Sequence, residues 1–156
     1  MAKKLLDKGS DIDYSNGRTI YRAVFHGSID VYVLDKKFNI IKFLVENGAD
    51  LNMPHDQGRT PMFFVTHNKD ILFYLIENGA DLSIKRTFSH YDNENGSIFN
   101  VIDNEILSTE EFQELVMKYQ PDMMPEFKMW QIHPNIKKKY EEELDYLFGS
   151  EELGLL

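Results

Sequence analysis

The sequence contains no cysteine and no long apolar run, and both absences narrow the class of protein. Without cysteine the chain forms no disulfide bond, offers no thiolate to a metal ion and has no cysteine nucleophile, which fits a reducing compartment. No stretch approaches the roughly 20 apolar residues that span a bilayer. The opening Met-Ala-Lys-Lys is charged before the apolar core of a signal peptide could form. We therefore expect a soluble, cytoplasmic protein.

Positive charge is also scarce. The 156 residues carry 26 Asp plus Glu against 17 Lys plus Arg, for a formal net charge of -9. Such a chain repels phosphate backbones and anionic lipid surfaces, so we expect neither nucleic acid nor a membrane as partner. The length suits one domain.

A short motif occurs three times along the chain, as Lys-Gly-Ser-Asp-Ile-Asp at 8–13, Asn-Gly-Ala-Asp-Leu-Asn at 47–52 and Asn-Gly-Ala-Asp-Leu-Ser at 78–83. Each copy follows apolar residues at i, i+3 and i+4, the spacing of one helix face. Each glycine stands where a helix ends on a left-handed residue. The motif therefore predicts a repeated helix that stops at glycine.

A second motif precedes two of these helices, as Asn-Gly-Arg-Thr-Ile at 16–20 and Gln-Gly-Arg-Thr-Pro at 57–61. Its glycine suits a tight turn, its threonine is expected to cap a first helix, and Pro61 fits the first helical position. Each unit is therefore predicted to run turn, helix, loop, helix, turn.

The two motifs in this order resemble the ankyrin repeat family, most closely at 58–82 and well at 17–51. The resemblance implies an all-α helical repeat solenoid with β-turn or hairpin connections and a helical C-terminal cap. The histidine that the family usually carries in its first helix is Arg22 in one unit and Phe63 in the other. The hydrogen bonds that this histidine makes between neighbouring turns are therefore expected to be missing.

The repeat boundaries divide the single domain 1–156 into five parts. Residues 1–13 are a partial N-terminal repeat, 14–52 a repeat with an insertion between its helices at 28–37, and 53–83 a short repeat. Residues 84–122 are a degenerate repeat, with a long hairpin loop at 84–95 and a capping box at Ser108-Thr109-Glu110-Glu111 that starts its second helix. Residues 123–156 are the cap, in which Pro134 opens a helix that continues to about Phe148 and stops at Gly149.

No pattern in the sequence indicates catalysis. None of the five histidines is spaced as in a metal site or a catalytic dyad, and phosphate-binding loops and nucleophile elbows are absent. We predict no metal, no cofactor, no catalytic residue and no enzymatic activity. A small hydrolase is the out-of-class alternative, and it would need pairs such as His67 with Asp70 or His90 with Asp92.

The ankyrin resemblance implies binding of another protein, by a chain that is a monomer when free. In such proteins the turn tips and first helices form a concave binding face. Carried over by position, the candidates are Tyr14, Ser15, Asn16, Arg22, His26, His55, Asp56, Gln57, Phe63, Thr66, His67, Phe88, His90 and Tyr91.

Two further sets of residues are candidates for binding a partner, and each also has an interpretation as ordinary structure. Trp130, near Met123, Met124 and Met129, is either core or an adaptable docking patch. Glu141, Glu142 and Glu143 belong to residues 104–156, which hold 12 Asp plus Glu against 5 Lys plus Arg. They form either a solvated face or a surface that steers a basic partner.

Two binding hypotheses follow. In one, the chain is an acidic immunity protein, an inhibitor that neutralises a cognate basic toxin. In the other it is a general scaffold or a host-targeting adaptor. The salt dependence of the association rate distinguishes the two hypotheses, because an electrostatically steered inhibitor associates more slowly as ionic strength rises.

Overall fold

A computed structural model describes residues 7, 9–13, 18–25, 31–55, 58–87, 96–127 and 131–140. These residues form helices and turns, with no β-strand among them. The α-helices are α1 (Arg18–Phe25), α2 (Val31–Glu46), α3 (Lys69–Glu77), α4 (Asn104–Leu107), α5 (Glu110–Tyr119) and α6 (Pro134–Lys139), and 3₁₀ helices span Pro61–Phe64, Ile98–Asn100 and Pro121–Glu126. The predicted all-α repeat fold is confirmed.

The helices pack in two layers around one apolar core. Helix α1 packs against α2 and against the 3₁₀ helix Pro61–Phe64, while α3 packs against α5. First elements of successive units therefore lie side by side, and second helices do the same. Both layers and the C-terminal segment supply fully buried side chains, which include Ile20, Met62 and Ile98 from the first elements, Ile41, Leu72, Leu75 and Phe112 from the second helices, and Met124 and Ile136 from the C-terminal segment.

Helices α2 and α3 end in the same way, as the repeated motif predicts. Gly48 and Gly79 have φ of 85° and 94°, which only glycine adopts without strain. The amide of Ala49 donates to the carbonyl of Leu44 at 3.0 Å, and the amide of Ala80 donates to the carbonyl of Leu75 at 2.9 Å. This is the Schellman arrangement, which satisfies carbonyls that the helix end leaves without a partner.

Side chains in the loops after these helices connect successive units. Asp13 accepts the amide of Asp50, at 3.0 Å to Oδ2. One unit later, Asn52 Oδ1 accepts the amide of Asp81 at 2.8 Å, and Asn52 Nδ2 donates to the carbonyl of Gly79 at 2.9 Å. Neighbouring units are thus joined through their loops, although the family's usual first-helix histidine is absent.

The structure corrects the predicted insertion between the helices of the first full unit. Residues 31–37 are helical and belong to α2, which has 16 residues where α3 has 9. The extra residues therefore lengthen the second helix at its N-terminal end, and Lys37 Nζ ties that end to α1 by donating to the carbonyl of Val24. Burial without a compensating charge lowers the pKa of Lys37.

The predicted threonine caps are also corrected. Thr19 lies inside α1, and Thr60 stands at the N-cap of the 3₁₀ helix Pro61–Phe64 but makes no side-chain cap bond. Pro61 does occupy the first helical position. The first element of this unit is a single 3₁₀ turn because the connection to α3 is short, with Asn68 already serving as the α3 N-cap at 3.0 Å from the amide of Ile71.

Two predictions for the region after residue 84 have mixed outcomes. The amide of Arg86 donates to the carbonyl of Gly96 at 2.9 Å, which closes the base of the long loop, while residues 88–95 lie outside the described residues. The predicted capping box is wrong in register, because Thr109 and not Ser108 caps α5, its Oγ1 accepting the amide of Phe112 at 3.3 Å. Ser108 Oγ donates instead to the carbonyl of Asn104.

The C-terminal segment begins as predicted and ends early. Pro134 opens α6, but the helix stops at Lys139, and Tyr140 takes the non-helical φ and ψ of -121° and 37°. The last turn of α6 consists of lysines, whose charge suits the negative end of a helix dipole. The predicted continuation to Phe148 is therefore wrong at Tyr140, and Gly149 lies outside the described residues.

Candidate functional site

Four aromatic side chains meet where the first two units adjoin, with Tyr21 at their centre. Tyr21 stacks on Phe25, one helical turn further along α1, with ring centroids 5.3 Å apart. On its other side it stacks on His55, at 3.9 Å and an interplanar angle of 18°. Phe64 meets Tyr21 edge to face at 4.8 Å and Phe25 at 5.6 Å. Each such pair contributes about 0.5–1.5 kcal/mol beyond the area it buries.

The turn at 55–59 positions two members of this group. The amide of His55 donates to the carbonyl of Arg59 at 2.9 Å, and Gly58, at φ 69°, donates to the carbonyl of His55. This closure holds the His55 ring on Tyr21 and brings the guanidinium of Arg59 to 4.8 Å from the centre of the Phe64 ring. We name Tyr21, Phe25, His55, Arg59 and Phe64 together the aromatic patch.

The aromatic patch is only partly covered. Phe25 is 53% exposed, whereas Tyr21, His55, Arg59 and Phe64 are half-buried. An exposed phenylalanine that rests on a rigid aromatic base is a feature of protein interfaces, where aromatic anchors carry much of the binding energy. The patch also lies on a first helix and a turn, the elements that the ankyrin resemblance assigns to the concave face.

Two arginines lie in or next to the aromatic patch. Neither α1 nor the 3₁₀ helix Pro61–Phe64 contains an acidic residue. Arg22 is exposed one helical turn from Phe25, and Arg59 adds a second positive charge. Arg22 and Arg59 thus lie at the aromatic patch of a protein whose net charge is -9, and the turn that carries Arg59 also contains Asp56, which lies outside the described residues.

The structure places five of the residues proposed from the sequence. His55 belongs to the aromatic patch, and Arg22 is exposed beside it. Phe63 is partly buried against the core, and Thr66 is only 5% exposed, with its carbonyl accepting the amide of Asp103. The His67 ring is 79% exposed, with Nδ1 at 3.4 Å from Asp103 Oδ2. The other proposed residues lie outside the described residues, namely Tyr14, Ser15, Asn16, His26, Asp56, Gln57, Phe88, His90, Tyr91, Trp130, Glu141, Glu142 and Glu143.

Sequence reasoning did not single out Tyr21, Phe25 or Phe64. Two signals were present, an i, i+4 aromatic pair in the first helix and a second phenylalanine directly after Phe63. The methionines near Trp130 are consistent with the core alternative where they are described, because Met124 is fully buried and Met123 packs against the core.

A second surface feature is an open groove between α3 and α5. Phe73 and Leu115 line it, and Lys69 pairs with Glu111 across it. Lys69 Nζ also lies 5.3 Å from the centre of the Phe73 ring. Lys69 and Glu111 therefore form an ion pair between the two helices, and an exposed pair of this kind contributes about 0–1 kcal/mol.

Within the described ranges, no three His, Asp or Glu side chains are grouped so that they could hold a metal ion. No helix in the described part of the chain combines the length and apolarity needed to cross a membrane.

Comparison with known proteins agrees with this architecture. Residues 29–76 match the family of ankyrin repeats (many copies). The ankyrin resemblance is therefore confirmed, and it is confirmed over a segment that includes α2, the turn at 55–59 and nearly all of α3. Ankyrin repeats are generally protein–protein interaction modules. A search of the curated proteins finds no match to the chain.

Proposed function

We propose that this protein binds one partner protein stoichiometrically, without catalysis, through the surface formed by its first helices and turns. The observation that most directly supports this proposal is the aromatic patch. In it the Phe25 side chain packs on the Tyr21 and Phe64 rings and is still 53% exposed. The ankyrin match over residues 29–76 supports the same class of function.

Affinity capture with matched baits tests this proposal. Phe25→Ala removes the exposed ring on α1, and Ile40→Ala removes a side chain of nearly equal exposure, 52%, on the second helix α2. A partner bound by the first-helix face is lost from the Phe25→Ala bait and kept by the Ile40→Ala bait. The opposite pattern would place the interface on the second helices and overturn the proposal.

The narrower prediction, an acidic immunity protein that neutralises a basic toxin, rests on the net charge of -9 and on Glu141, Glu142 and Glu143. It stays a prediction, as does the scaffold or host-targeting alternative. Capture at low and at high salt separates the two, because recovery of a single basic toxin in one-to-one ratio and its loss at high salt support the inhibitor. Recovery of several clients at both salt concentrations contradicts it.

The hydrolase alternative would need a pair such as His67 with Asp70, and both of these side chains are exposed in the described part of the chain. The His67 ring meets Asp103 on a different unit, at the exposed end of the first-element layer. Ion pairs and hydrogen bonds of this kind join repeats as readily as they support chemistry.

A further inference from the structure

We infer that His133 is a proton-controlled N-cap of α6. The neutral ring caps the helix, and the protonated ring leaves the cap and pairs with Glu110 of α5. This inference concerns the attachment of the C-terminal segment to the last repeat, and it does not depend on the proposed function.

The neutral His133 ring closes the start of α6. His133 occupies the N-cap in an extended conformation, with φ of -62° and ψ of 139°, and its Nδ1 accepts the amide of Asn135 at 3.2 Å. A neutral imidazole accepts at Nδ1 only when its proton is on Nε2, so this bond defines the tautomer of the neutral ring. The bond satisfies one of the amides that the first turn of a helix leaves without a partner.

A carboxylate stands beside the same ring nitrogen. Glu110 Oε2 lies 3.8 Å from His133 Nδ1, and it accepts Asn135 Nδ2 at 2.7 Å, which holds it next to the cap. A separation of 3.8 Å is too long for a hydrogen bond, and a small rotation of either side chain closes it. The side chains of His133 and Glu110 are 32% and 39% exposed, so solvent protons reach the pair.

Protonation makes the cap and the ring incompatible. A hydrogen on Nδ1 turns the acceptor into a donor, so the ring can no longer accept the amide of Asn135. The positive ring would also stand at the positive end of the helix dipole, which is unfavourable. Glu110 offers the protonated ring an acceptor of opposite charge, and hydrogen bonds between charged groups are the stronger ones. Protonation therefore exchanges a bond within the C-terminal segment for an ion pair between α5 and that segment.

The groups around His133 confine this exchange to the first turn of α6. Among the described residues, the charged side chains of α4, α5 and α6 that surround it at the start of α6 are Glu105, Glu110, Glu114 and Lys137. Glu114 is already paired with Lys139 at the other end of α6. Gln113 Oε1 holds the backbone amide of His133 at 2.7 Å, a bond that does not involve the ring and persists when the ring is protonated.

Amide exchange measured by NMR on the full-length protein tests the loss of the cap. Histidine changes its charge between about pH 8 and about pH 5. The protection of the Asn135 amide, corrected for the intrinsic dependence of exchange on pH, should fall roughly fivefold over this range. His133→Asn supplies a cap acceptor that does not titrate, and its Asn135 amide should be equally protected at both pH values. This variant keeps the other four histidines, so it separates the cap from their titration.

Glu110→Gln tests the ion pair. Glutamine keeps an oxygen for Asn135 Nδ2 but has no charge for the protonated ring. Urea unfolding should therefore show a larger loss of stability from Glu110→Gln at pH 5 than at pH 8. In the His133→Asn background the loss should be the same at both pH values.

Two results would overturn the inference. The first is protection of the Asn135 amide that does not change with pH, or that changes equally in His133→Asn. The second is a loss of stability from Glu110→Gln that has the same pH dependence with His133 as with asparagine at that position. Neither result bears on the proposed function, which the Phe25→Ala and Ile40→Ala baits test separately.

Discussion

Asn52 and Gln120 bind the same four-residue loop from two different units. Asn52 Nδ2 donates to the carbonyl of Gly79, and Asn52 Oδ1 accepts the amide of Asp81. Gln120 Nε2 donates to the carbonyl of Ala80 at 2.7 Å, and Gln120 Oε1 accepts the amide of Leu82 at 2.8 Å. The two side-chain carboxamides thus bond to alternate residues of the loop and satisfy two of its carbonyls and two of its amides. The loop at 79–82 is in this way held on both sides.

Because they share this loop, Asn52 and Gln120 should be energetically coupled. Asn52→Ala and Gln120→Ala each leave one amide and one carbonyl of the loop without their partner, and each should lower the free energy of unfolding by about 1–3 kcal/mol. In the double variant the losses should be non-additive by about 0.5 kcal/mol or more. Urea unfolding of the four proteins measures this coupling.

Two further variants control that experiment. Ser83→Ala, at the position equivalent to Asn52 in the next unit, should change stability by less than about 0.5 kcal/mol, as surface substitutions usually do. Asn52→Asp keeps the acceptor for the amide of Asp81 but places a carboxylate oxygen against the carbonyl of Gly79, so it should also destabilise the protein. Strict additivity at 52 and 120 would mean that the loop is not a shared element.

Gln113 should hold the C-terminal segment on the last repeat. Its side chain is fully buried, its Nε2 donates to the carbonyls of Leu107 at 2.8 Å and Gln131 at 2.6 Å, and its Oε1 accepts the amide of His133 at 2.7 Å. Gln113→Leu removes the side-chain partner of all three backbone groups, so it should cost about 3 kcal/mol or more. Hydrogen exchange should rise at residues 131–140 more than at α3, and an equal rise in both would contradict this role.

The sequence was sufficient for the features that depend on local chemistry. The ends of α2 and α3 follow from a glycine after an apolar helix face, and both adopt the predicted left-handed conformation. The length of α2 differs from the prediction because residues 31–37 form helix, whereas the predicted repeat boundaries place an insertion between the helices at 28–37. The end of α6 at Lys139 was missed because a helical pattern does not show where a chain turns to pack Tyr140 against the core.

The candidate site was harder to predict, because it depends on contacts between distant positions. His55 was a candidate from its place at a turn tip, but nothing local indicates that its ring stacks on Tyr21 in the preceding unit. Phe63 and Phe64 are adjacent in sequence and both pack against the core, and only the direction of the 3₁₀ turn decides that Phe64 joins the patch. The members of the aromatic patch could therefore not be predicted where tertiary packing selects between neighbouring residues.

Tyr74 provides a prediction for the dependence of stability on pH. Burial raises the pKa of Tyr74 above its ordinary value of 10.0, and the charge of Glu46 raises it further. A group whose pKa is raised by folding stabilises the protein below its unfolded pKa, and this contribution is lost as pH rises through the folded value. Stability should therefore fall above pH 10 by a larger amount in wild type than in Tyr74→Phe.

The Glu46 contribution can be separated from that of burial. Glu46→Gln should move the pKa of Tyr74 only part of the way back toward its ordinary value, because burial is the larger cause. The difference in phenolate absorbance between each protein and its Tyr74→Phe counterpart gives the titration of this one tyrosine. A pKa unchanged by Glu46→Gln would show that the two groups do not interact.

Alanine substitutions at three glycines should distinguish the loss of stability caused by backbone strain from the loss caused by close packing. Gly48 has φ 85° and open space around its Cα, so Gly48→Ala should cost only the strain of a left-handed residue, about 1–2 kcal/mol. Gly58 has φ 69°, and a Cβ there would lie 2.9 Å from the amide nitrogen of Thr87, so Gly58→Ala should cost about 1 kcal/mol more. Gly96 is not left-handed, but a Cβ would lie 2.3 Å from the carbonyl oxygen of Arg86. Gly96→Ala should therefore destabilise the protein through the close approach of its Cβ alone. Thermal unfolding of the three variants measures the order of their losses of stability. If Gly48→Ala were the most destabilising of the three, the close packing of Gly58 against residues 86–87 could not be a significant source of stability.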